Sequence, residues 1–227
     1  MKNYKLSPSI YVSNLLEVGK EIKQLDAAGA DMYHIDIIDT TFAKTSGCPA
    51  SILPAIREIS STPFDVHLMT SVPEDYFPLI LPYCKDSFVV IHIEVAKEMN
   101  WLAYEIRKAG AKPGIAINSS TPTYLAKEII PMIDMVQIML CDAGREMKIP
   151  GLKERMYPKI AEVKDMCNAS SRDDMVIQCD GGITFEMAKQ LLKLGANSFV
   201  LGRDSIFAQA KPSGEKLLEM REYLNII

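Results

Sequence analysis

Eight short apolar runs, separated by stretches with apolar residues at helical spacing, constrain the fold of this 227-residue chain more than any other feature. The runs are rich in Val, Ile and Phe and show no polar alternation, which is typical of strands buried on both faces. They comprise Lys5–Tyr11, Met32–Ile38, Phe64–Met69, Phe88–Ile93, Gly114–Asn118, Met135–Leu140, Met175–Cys179 and Ser198–Leu201. Strands that alternate with helices predict a parallel sheet, because parallel neighbours need a crossover connection.

The intervening stretches carry helical stop signals, since glycine follows three of them. The predicted helices are Leu15–Ala28, Trp101–Ala109, Phe185–Leu194 and Glu215–Leu224. Eight strand–helix units in this length favour a closed barrel over a doubly wound sheet, whose first strand usually leads into a glycine-rich turn. The first predicted strand here contains Ser7-Pro8-Ser9-Ile10, without glycine. With no linker and no break in composition, we predict an α/β fold, a (β/α)₈ TIM barrel, as a single domain over residues 1–227.

Charge and cysteine content argue against several classes of protein. The net charge of −4 does not suit a nucleic-acid partner, which requires a basic face. The five cysteines are odd in number and include no C-x-x-C pair, so we expect no disulfide framework and a reducing, cytoplasmic location. No run is apolar for long enough to span a membrane, and the N-terminus lacks the pattern of a signal peptide. A small phosphorylated ligand remains compatible, because it needs only local donors.

Histidine and aspartate side chains fall at the ends of predicted strands, where an α/β barrel carries its chemistry. His34 and Asp36 are two apart in one strand and therefore point to the same side. His67 lies in the next predicted strand, and Asp180 follows the seventh. Imidazole and carboxylate on one face suit a divalent metal ion, although a core histidine satisfied by a neighbouring aspartate gives the same pattern.

Glycine turns follow the last two predicted strands. Asp180-Gly181-Gly182 precedes a predicted helix, and Gly202-Arg203 follows the eighth strand. Glycine allows close approach to the backbone, and N–H groups at such turns bind anions. A plain tight turn would account for either motif alone, but a phosphate site formed by the loops after strands 7 and 8 recurs in these barrels. We therefore predict phosphate binding there.

Eight motifs spread over nearly the whole chain can be compared with known families. They are Ser7–Ile10, Ala28–Asp31, His34–Asp39, Asp65–Met69, His92–Glu94, Asn118–Pro122, Asp180–Ile183 and Gly202–Phe207. In this order they resemble the ribulose-phosphate 3-epimerase family. The resemblance implies a metal-dependent isomerase that inverts C3 of D-ribulose 5-phosphate to give D-xylulose 5-phosphate, in the pentose phosphate pathway.

The family also implies roles for individual residues. One divalent ion, commonly zinc or iron, would be bound by His34, Asp36, His67 and Asp180. Asp36 and Asp180 would exchange the C3 proton on opposite faces of an enediolate that the metal stabilises. We expect substrate contacts from Ser9, His67, Met69 and Met139. We expect phosphate contacts from Gly144, Gly181, Gly182, Gly202 and Arg203.

Two departures from the family pattern affect the phosphate end. The Pro-Gly-Phe-Gly-Gly-Gln loop after the sixth strand is replaced by Cys141–Glu146, and Arg203 stands where a small residue is usual. Arg145 or Arg203 could supply a compensating cation, although either could equally be a surface arginine. The charged run Lys153–Arg155 is interpreted as a solvated helix face.

Several alternatives stay open at the level of sequence. The substrate could be a hexulose phosphate such as allulose 6-phosphate, because the altered loop lies at the sugar end. A lyase or decarboxylase related to hexulose-phosphate synthase would need a lysine in the second strand, and 32–39 has none. A non-catalytic phosphosugar-binding barrel is the third alternative. The ligand set suits zinc, iron, cobalt or manganese, and the family favours a homo-oligomer.

Overall fold

Eight parallel strands form a closed barrel in the computed structural model, which describes residues 4–145, 149–207 and 211–225. The strands are β1 (Lys5–Pro8), β2 (Tyr33–Ile38), β3 (Phe64–Met69), β4 (Phe88–His92), β5 (Lys112–Ile117), β6 (Met135–Met139), β7 (Val176–Asp180) and β8 (Ser198–Leu201). Sequential strands pair from β2 to β8, and β8 also pairs with β1. A bridge between Ser9 and His34 joins the end of β1 to β2 and closes the ring. The predicted barrel is confirmed.

Seven helices surround the barrel among the described residues. They are α1 (Val18–Ala27), α2 (Ile52–Arg57), α3 (Phe77–Ile80), α4 (Met99–Lys108), α5 (Leu152–Ala169), α6 (Phe185–Lys193) and α7 (Ser213–Asn225). Between β5 and β6 the crossover consists of 3₁₀ turns at Thr123–Ala126 and Ile130–Met132. The predicted start of the first helix at Leu15 was wrong, because Leu15 and Leu16 are exposed in the preceding turn. None of the described helices has the length and apolar character needed to cross a bilayer.

Side chains alternate between the helix layer and the barrel interior along each strand, as expected for a period of two. Ile35, Ile37, Val66 and Leu68 belong to the large cluster beneath the helices. The interior has three levels. Apolar residues fill its base, namely Met32, Phe88, Val90, Ala116, Met135 and Val176. Buried polar residues form the middle level, namely Ser7, His34, Asp65, Gln137, Gln178 and Ser198. The upper level, above His34, carries the rest of the candidate site.

Candidate metal centre

His34, Asp36, His67 and Asp180 come together at the C-terminal end of the barrel. One ligand-capable atom from each residue lies within 4.8 Å of the corresponding atoms of the others. Nε2 of His34 is 3.0 Å from Oδ1 of Asp36 and 3.6 Å from Oδ2 of Asp180. Nδ1 of His67 is 3.2 Å and 3.7 Å from the same two oxygens. The structure therefore assembles all four predicted ligands from three strands, β2, β3 and β7.

The His34 ring is oriented from below by a buried carboxylate. Nδ1 of His34 lies 2.7 Å from Oδ2 of Asp65, so the imidazole directs Nε2 upward into the cluster. Gln178 donates from Nε2 to the same Asp65 oxygen, and Ser198 donates its hydroxyl to Oε1 of Gln178. A carboxylate behind a histidine ligand is the usual second layer of a metal site, because it fixes the ring and makes it a better donor.

The His67 ring is held by a separate hydrogen-bonded chain. Its Nε2 lies 2.9 Å from Nε2 of His92, and Nδ1 of His92 lies 3.0 Å from Oε2 of Glu94. The other Glu94 oxygen accepts from the backbone N–H of Asn118 at 2.9 Å. Since Glu94 accepts the Nδ1 proton of His92, Nε2 of His92 is left to accept from His67. That arrangement leaves Nδ1 of His67 with a lone pair directed at the cluster.

Burial and charge shift the pKa values of the two cluster carboxyl groups in opposite directions. Burial would raise the pKa of Asp36, but the charge and hydrogen bond of His34 hold it well below its usual range. Burial raises the pKa of Asp180 to about 7, with the charge of Asp36 acting in the same direction and that of His34 opposing it. Two carboxyl groups with opposed shifts are the arrangement from which acid–base pairs are built.

The donor set fits a divalent cation on chemical grounds. Two imidazole nitrogens and two carboxylate oxygens converge on one point, and the histidines are fully buried. Nitrogen and carboxylate ligands in this number suit zinc, iron, cobalt and manganese. The group can therefore bind a divalent metal ion.

A cleft of about 1170 Å³ opens above the cluster. Asp36 and Asp180 reach its floor, whereas His34 and His67 lie beneath it. The predicted residues that line it are Ser9, Met69, Met139, Gly144, Gly181, Gly182, Gly202 and Arg203. The structure thus brings the predicted substrate and phosphate residues to one cavity, with His67 just under its floor. Residues 146–148, which include the end of the altered loop at Glu146, lie outside the described residues.

Lys153 is the main correction to the sequence analysis. It does not belong to a solvated face, because its side chain is only 31% exposed and lines the cleft, while Arg155 on the same turn is exposed. Its Nζ lies 2.5 Å from the carbonyl oxygen of Gly182. Gly182 has φ +60, and a Cβ there would collide with Nζ. Periodicity alone could not reveal this, since the first turn of a barrel helix can face the mouth.

Asp65, Gln137 and Gln178 were not predicted as site residues. Asp65 had a usable signal, because it lies two residues before His67 and so shares its face of the strand. The two glutamines carried no such sequence signal. Gln178, for example, donates to Asp65, which is 113 positions away in the sequence. Gln137 donates to Oδ2 of Asp180 at 3.1 Å and so holds one cluster carboxylate.

The sequence of this chain is similar to those of several known proteins. The sequence pattern described as the ribulose-phosphate 3 epimerase family matches residues 5–207. A protein named ribulose-phosphate 3-epimerase from Bacillus subtilis (strain 168) is 31% identical over 208 residues, which are 91% of this chain and 93% of that protein. A protein named ribulose-phosphate 3-epimerase from Synechocystis sp. is 32% identical over 205 residues, which are 88% of this chain and 86% of that protein.

Solved structures give the same architecture at lower identity. A mutant tryptophan synthase α-subunit from Pyrococcus furiosus superposes with a TM-score of 0.68 and 18% identity, covering 100% of this chain and 99% of that one. The tryptophan synthase α-subunit of Legionella pneumophila gives a TM-score of 0.63 and 16% identity, covering 99% and 94%. At these identities the likeness concerns the barrel fold alone.

Proposed function

The chain belongs to the ribulose-phosphate 3-epimerase family, and we propose that it inverts C3 of D-ribulose 5-phosphate to give D-xylulose 5-phosphate. It is an isomerase acting on a carbohydrate. The observation that carries the proposal is the placement of two carboxylates, Asp36 and Asp180, on the floor of one cleft. They come from β2 and β7, which have β1 and β8 between them, so they approach a bound sugar from different sides.

The two carboxylates perform the proton transfer in this proposal. One removes the C3 proton from one face, and the other returns a proton to the opposite face, which inverts the carbon. Ser9, just after β1, donates to Oδ2 of Asp36 at 3.0 Å, and Gln137 in β6 donates to Oδ2 of Asp180 at 3.1 Å. Each carboxylate is therefore held by a donor from another part of the chain. The roles exchange when the reaction runs backwards.

Zinc or iron is our proposed ion for the cluster, with manganese and cobalt compatible. His34, Asp36, His67 and Asp180 would hold it. When bound, a divalent cation supplies positive charge that stabilises negative charge developing on the substrate beside the ketone. Asp65 and the chain through His92 keep both imidazoles aimed at the cluster.

The rest of the cleft would recognise the sugar phosphate. Met69 and Met139 give apolar walls above the cluster, and Ser9 lies beside Asp36. The phosphate would bind at the glycine turns that carry Gly181, Gly182, Gly202 and Arg203, with Gly144 on the loop after β6. Relatives named for ribulose phosphate favour the pentulose over a hexulose phosphate. A homo-oligomer and a cytoplasmic location stay predictions.

Solvent-deuterium exchange followed by NMR tests the function directly. The metal-loaded protein is incubated in D₂O with D-ribulose 5-phosphate or, separately, D-allulose 6-phosphate. Deuterium at C3 together with the C3 epimer, formed from the pentulose at the greater kcat/KM, is the expected result. A preference for D-allulose 6-phosphate would mean that the substrate is a hexulose phosphate. The absence of exchange with both sugars would contradict the proposed epimerase activity.

Glu94→Gln is expected to weaken metal binding about 10- to 100-fold, the usual effect of changing an outer-shell partner. Hydrogen bonds from His92, Thr121 and Asn118 outweigh burial and hold the pKa of Glu94 to about 2, so this carboxylate is charged at neutral pH. A neutral amide would fix the His92 tautomer less firmly and misalign His67. Competition with a chromogenic chelator measures the affinity.

Glu105→Gln provides the matched control for this variant. It makes the same chemical change on α4, where Glu105 pairs with Lys108 at the surface. Its metal affinity should equal that of the wild type. If Glu94→Gln also binds metal like the wild type, the proposed orientation of His67 through His92 is incorrect.

A further inference from the structure

Lys153 places a positive charge in the wall of the cleft. It is the second residue of α5, and its Nζ donates to the Gly182 carbonyl at 2.5 Å and lies 3.8 Å from Oδ2 of Asp204. The ammonium therefore bridges the turns after β7 and β8. Neither partner satisfies it fully, since a carbonyl carries no net charge and the Asp204 side chain is 40% exposed.

The backbone around Lys153 is shaped for this position. Gly151, with φ +72, precedes the first turn of α5, so the chain enters the helix from a left-handed conformation. Across the cleft wall, Gly182 has no side chain at the point that Nζ occupies. An alanine at 182 would meet both the Lys153 ammonium and the Asp204 carboxylate. The glycine turn that sequence analysis assigned to anion binding thus also makes room for a cation.

We infer that Lys153 is a specificity-determining residue, the ammonium that pairs with the phosphate group of the substrate. This inference rests on the proposed function and identifies the cation at its phosphate end. A phosphate at the turns of Gly182 and Gly202 would lie beside Nζ and present more negative charge than the Asp204 carboxylate. Lysine suits this task, because its ammonium is a compact charge on a flexible stem that can exchange partners.

The two arginines anticipated from sequence have weaker geometric claims. Arg145 and Arg203 line the same cleft, but both side chains are exposed. Interactions of exposed charges are screened by solvent and salt, whereas those of a partly buried charge are screened less. Lys153 is therefore expected to contribute more to phosphate affinity than either arginine, and its contribution should persist at higher ionic strength.

The test is a titration of the metal-loaded protein with inorganic phosphate. Binding is monitored through the backbone amide signals of Gly181, Gly182 and Gly202 in NMR spectra. Lys153→Met should raise the dissociation constant for phosphate about tenfold or more, as expected for the loss of one charge-assisted hydrogen bond. Lys153→Gln keeps a donor for the Gly182 carbonyl but removes the charge, so it should lose as much phosphate affinity as Lys153→Met. Lys153→Arg should bind phosphate almost as tightly as the wild type. Arg203→Ala should lower the phosphate affinity about threefold at most.

Lys164→Met is the matched control on the same helix. Position 164 lies eleven residues further along α5, about 16 Å away at 1.5 Å per residue, towards the opposite end of the barrel. Its phosphate affinity should equal that of the wild type. With the sugar phosphate, Lys153→Met should raise KM at least as much as it raises the phosphate dissociation constant, while kcat changes little, because the carboxylates are untouched.

The two hypotheses fail in different ways. Phosphate binding of wild-type strength in both Lys153→Met and Lys153→Gln would overturn the role of Lys153, even if the wild type is an active epimerase. Conversely, a wild type that epimerises neither sugar phosphate would reject the proposed function. Weakened phosphate binding in the Lys153 variants would still support the cation site in that case.

Discussion

Asp180→Asn is expected to reduce the epimerisation rate at least about a thousandfold, and Asp36→Asn should do the same. Asparagine keeps the shape of the side chain but cannot accept a proton. Inversion at C3 needs a proton acceptor on one face and a donor on the other, so the loss of either group stops the conversion. Each change also removes one of the four clustered ligand groups, which adds to the loss.

Isotope exchange separates the two roles. With one carboxylate intact, the remaining group can still remove and return a proton on its own face. Each single variant should therefore incorporate deuterium into only one of the two epimers, without inversion, and the two variants should act on opposite epimers. This is measured by NMR with D-ribulose 5-phosphate and D-xylulose 5-phosphate in D₂O, with each variant loaded with metal at saturating concentration.

A remote carboxylate serves as the control for both variants. Asp165→Asn makes the same change on an exposed position of α5 and should leave epimerisation within about twofold of the wild type, as for most surface substitutions. Epimerisation within tenfold of the wild type in either Asp36→Asn or Asp180→Asn would remove that residue from the proton transfer.

The strands and their order could be predicted from the sequence because a parallel barrel leaves a simple pattern. Strands buried on both faces read as continuous Val and Ile runs, and the two-residue period assigned His34 and Asp36 to one side. The ends of these strands must meet at one mouth, so Asp180 could be placed near His34 despite the distance in sequence. These rules bring His34, Asp36 and Asp180 to one mouth, whereas the choice of the four ligands came from the resemblance to the ribulose-phosphate 3-epimerase family.

The contacts that orient the site could not be predicted in the same way. The Asp65–Gln178 hydrogen bond depends on which interior side chains face each other across the barrel, and no local pattern encodes that pairing. Lys153 was assigned to a solvated face because its neighbours are charged, yet the start of α5 lies beside the mouth. Helix starts after β6 are therefore places where a charged run deserves a functional interpretation.

Removal of the metal is expected to abolish epimerisation and to lower the Tm while leaving the barrel folded. Burial of Asp36 and Asp180 beside Asp65 brings negative charges together, and a bound cation offsets their repulsion. An ion present at a thousand times its Kd stabilises the folded state by about 4 kcal/mol. For a chain of this size that corresponds to roughly 10 °C in Tm. The apolar base of the barrel is independent of the ion, so secondary structure should persist.

The pH dependence of metal affinity follows from the Asp180 carboxyl and the His34 imidazole. The Asp180 pKa of about 7 means that without a cation the group is largely protonated below pH 7, and binding must displace that proton. The charges of Asp36 and Asp65 outweigh burial and raise the pKa of His34 well above its usual value, so a second proton must leave when the metal binds. Affinity should therefore fall by more than tenfold for each pH unit below 7 and continue to rise above it. Chelator competition between pH 5.5 and 8.5 measures this slope, and elemental analysis confirms that the chelated protein is free of metal.

Asp36→Asn distinguishes a specific effect of the ion from a general effect of the chelator. This variant has lost one of the four ligand groups, so chelation should change its Tm far less than that of the wild type. Restoration of activity by zinc, iron, manganese or cobalt, added singly to the chelated wild type, then ranks the ions by function. Full activity and an unchanged Tm in metal-free wild-type protein would mean that His34, Asp36, His67 and Asp180 form a hydrogen-bonded acid–base cluster instead of a metal site.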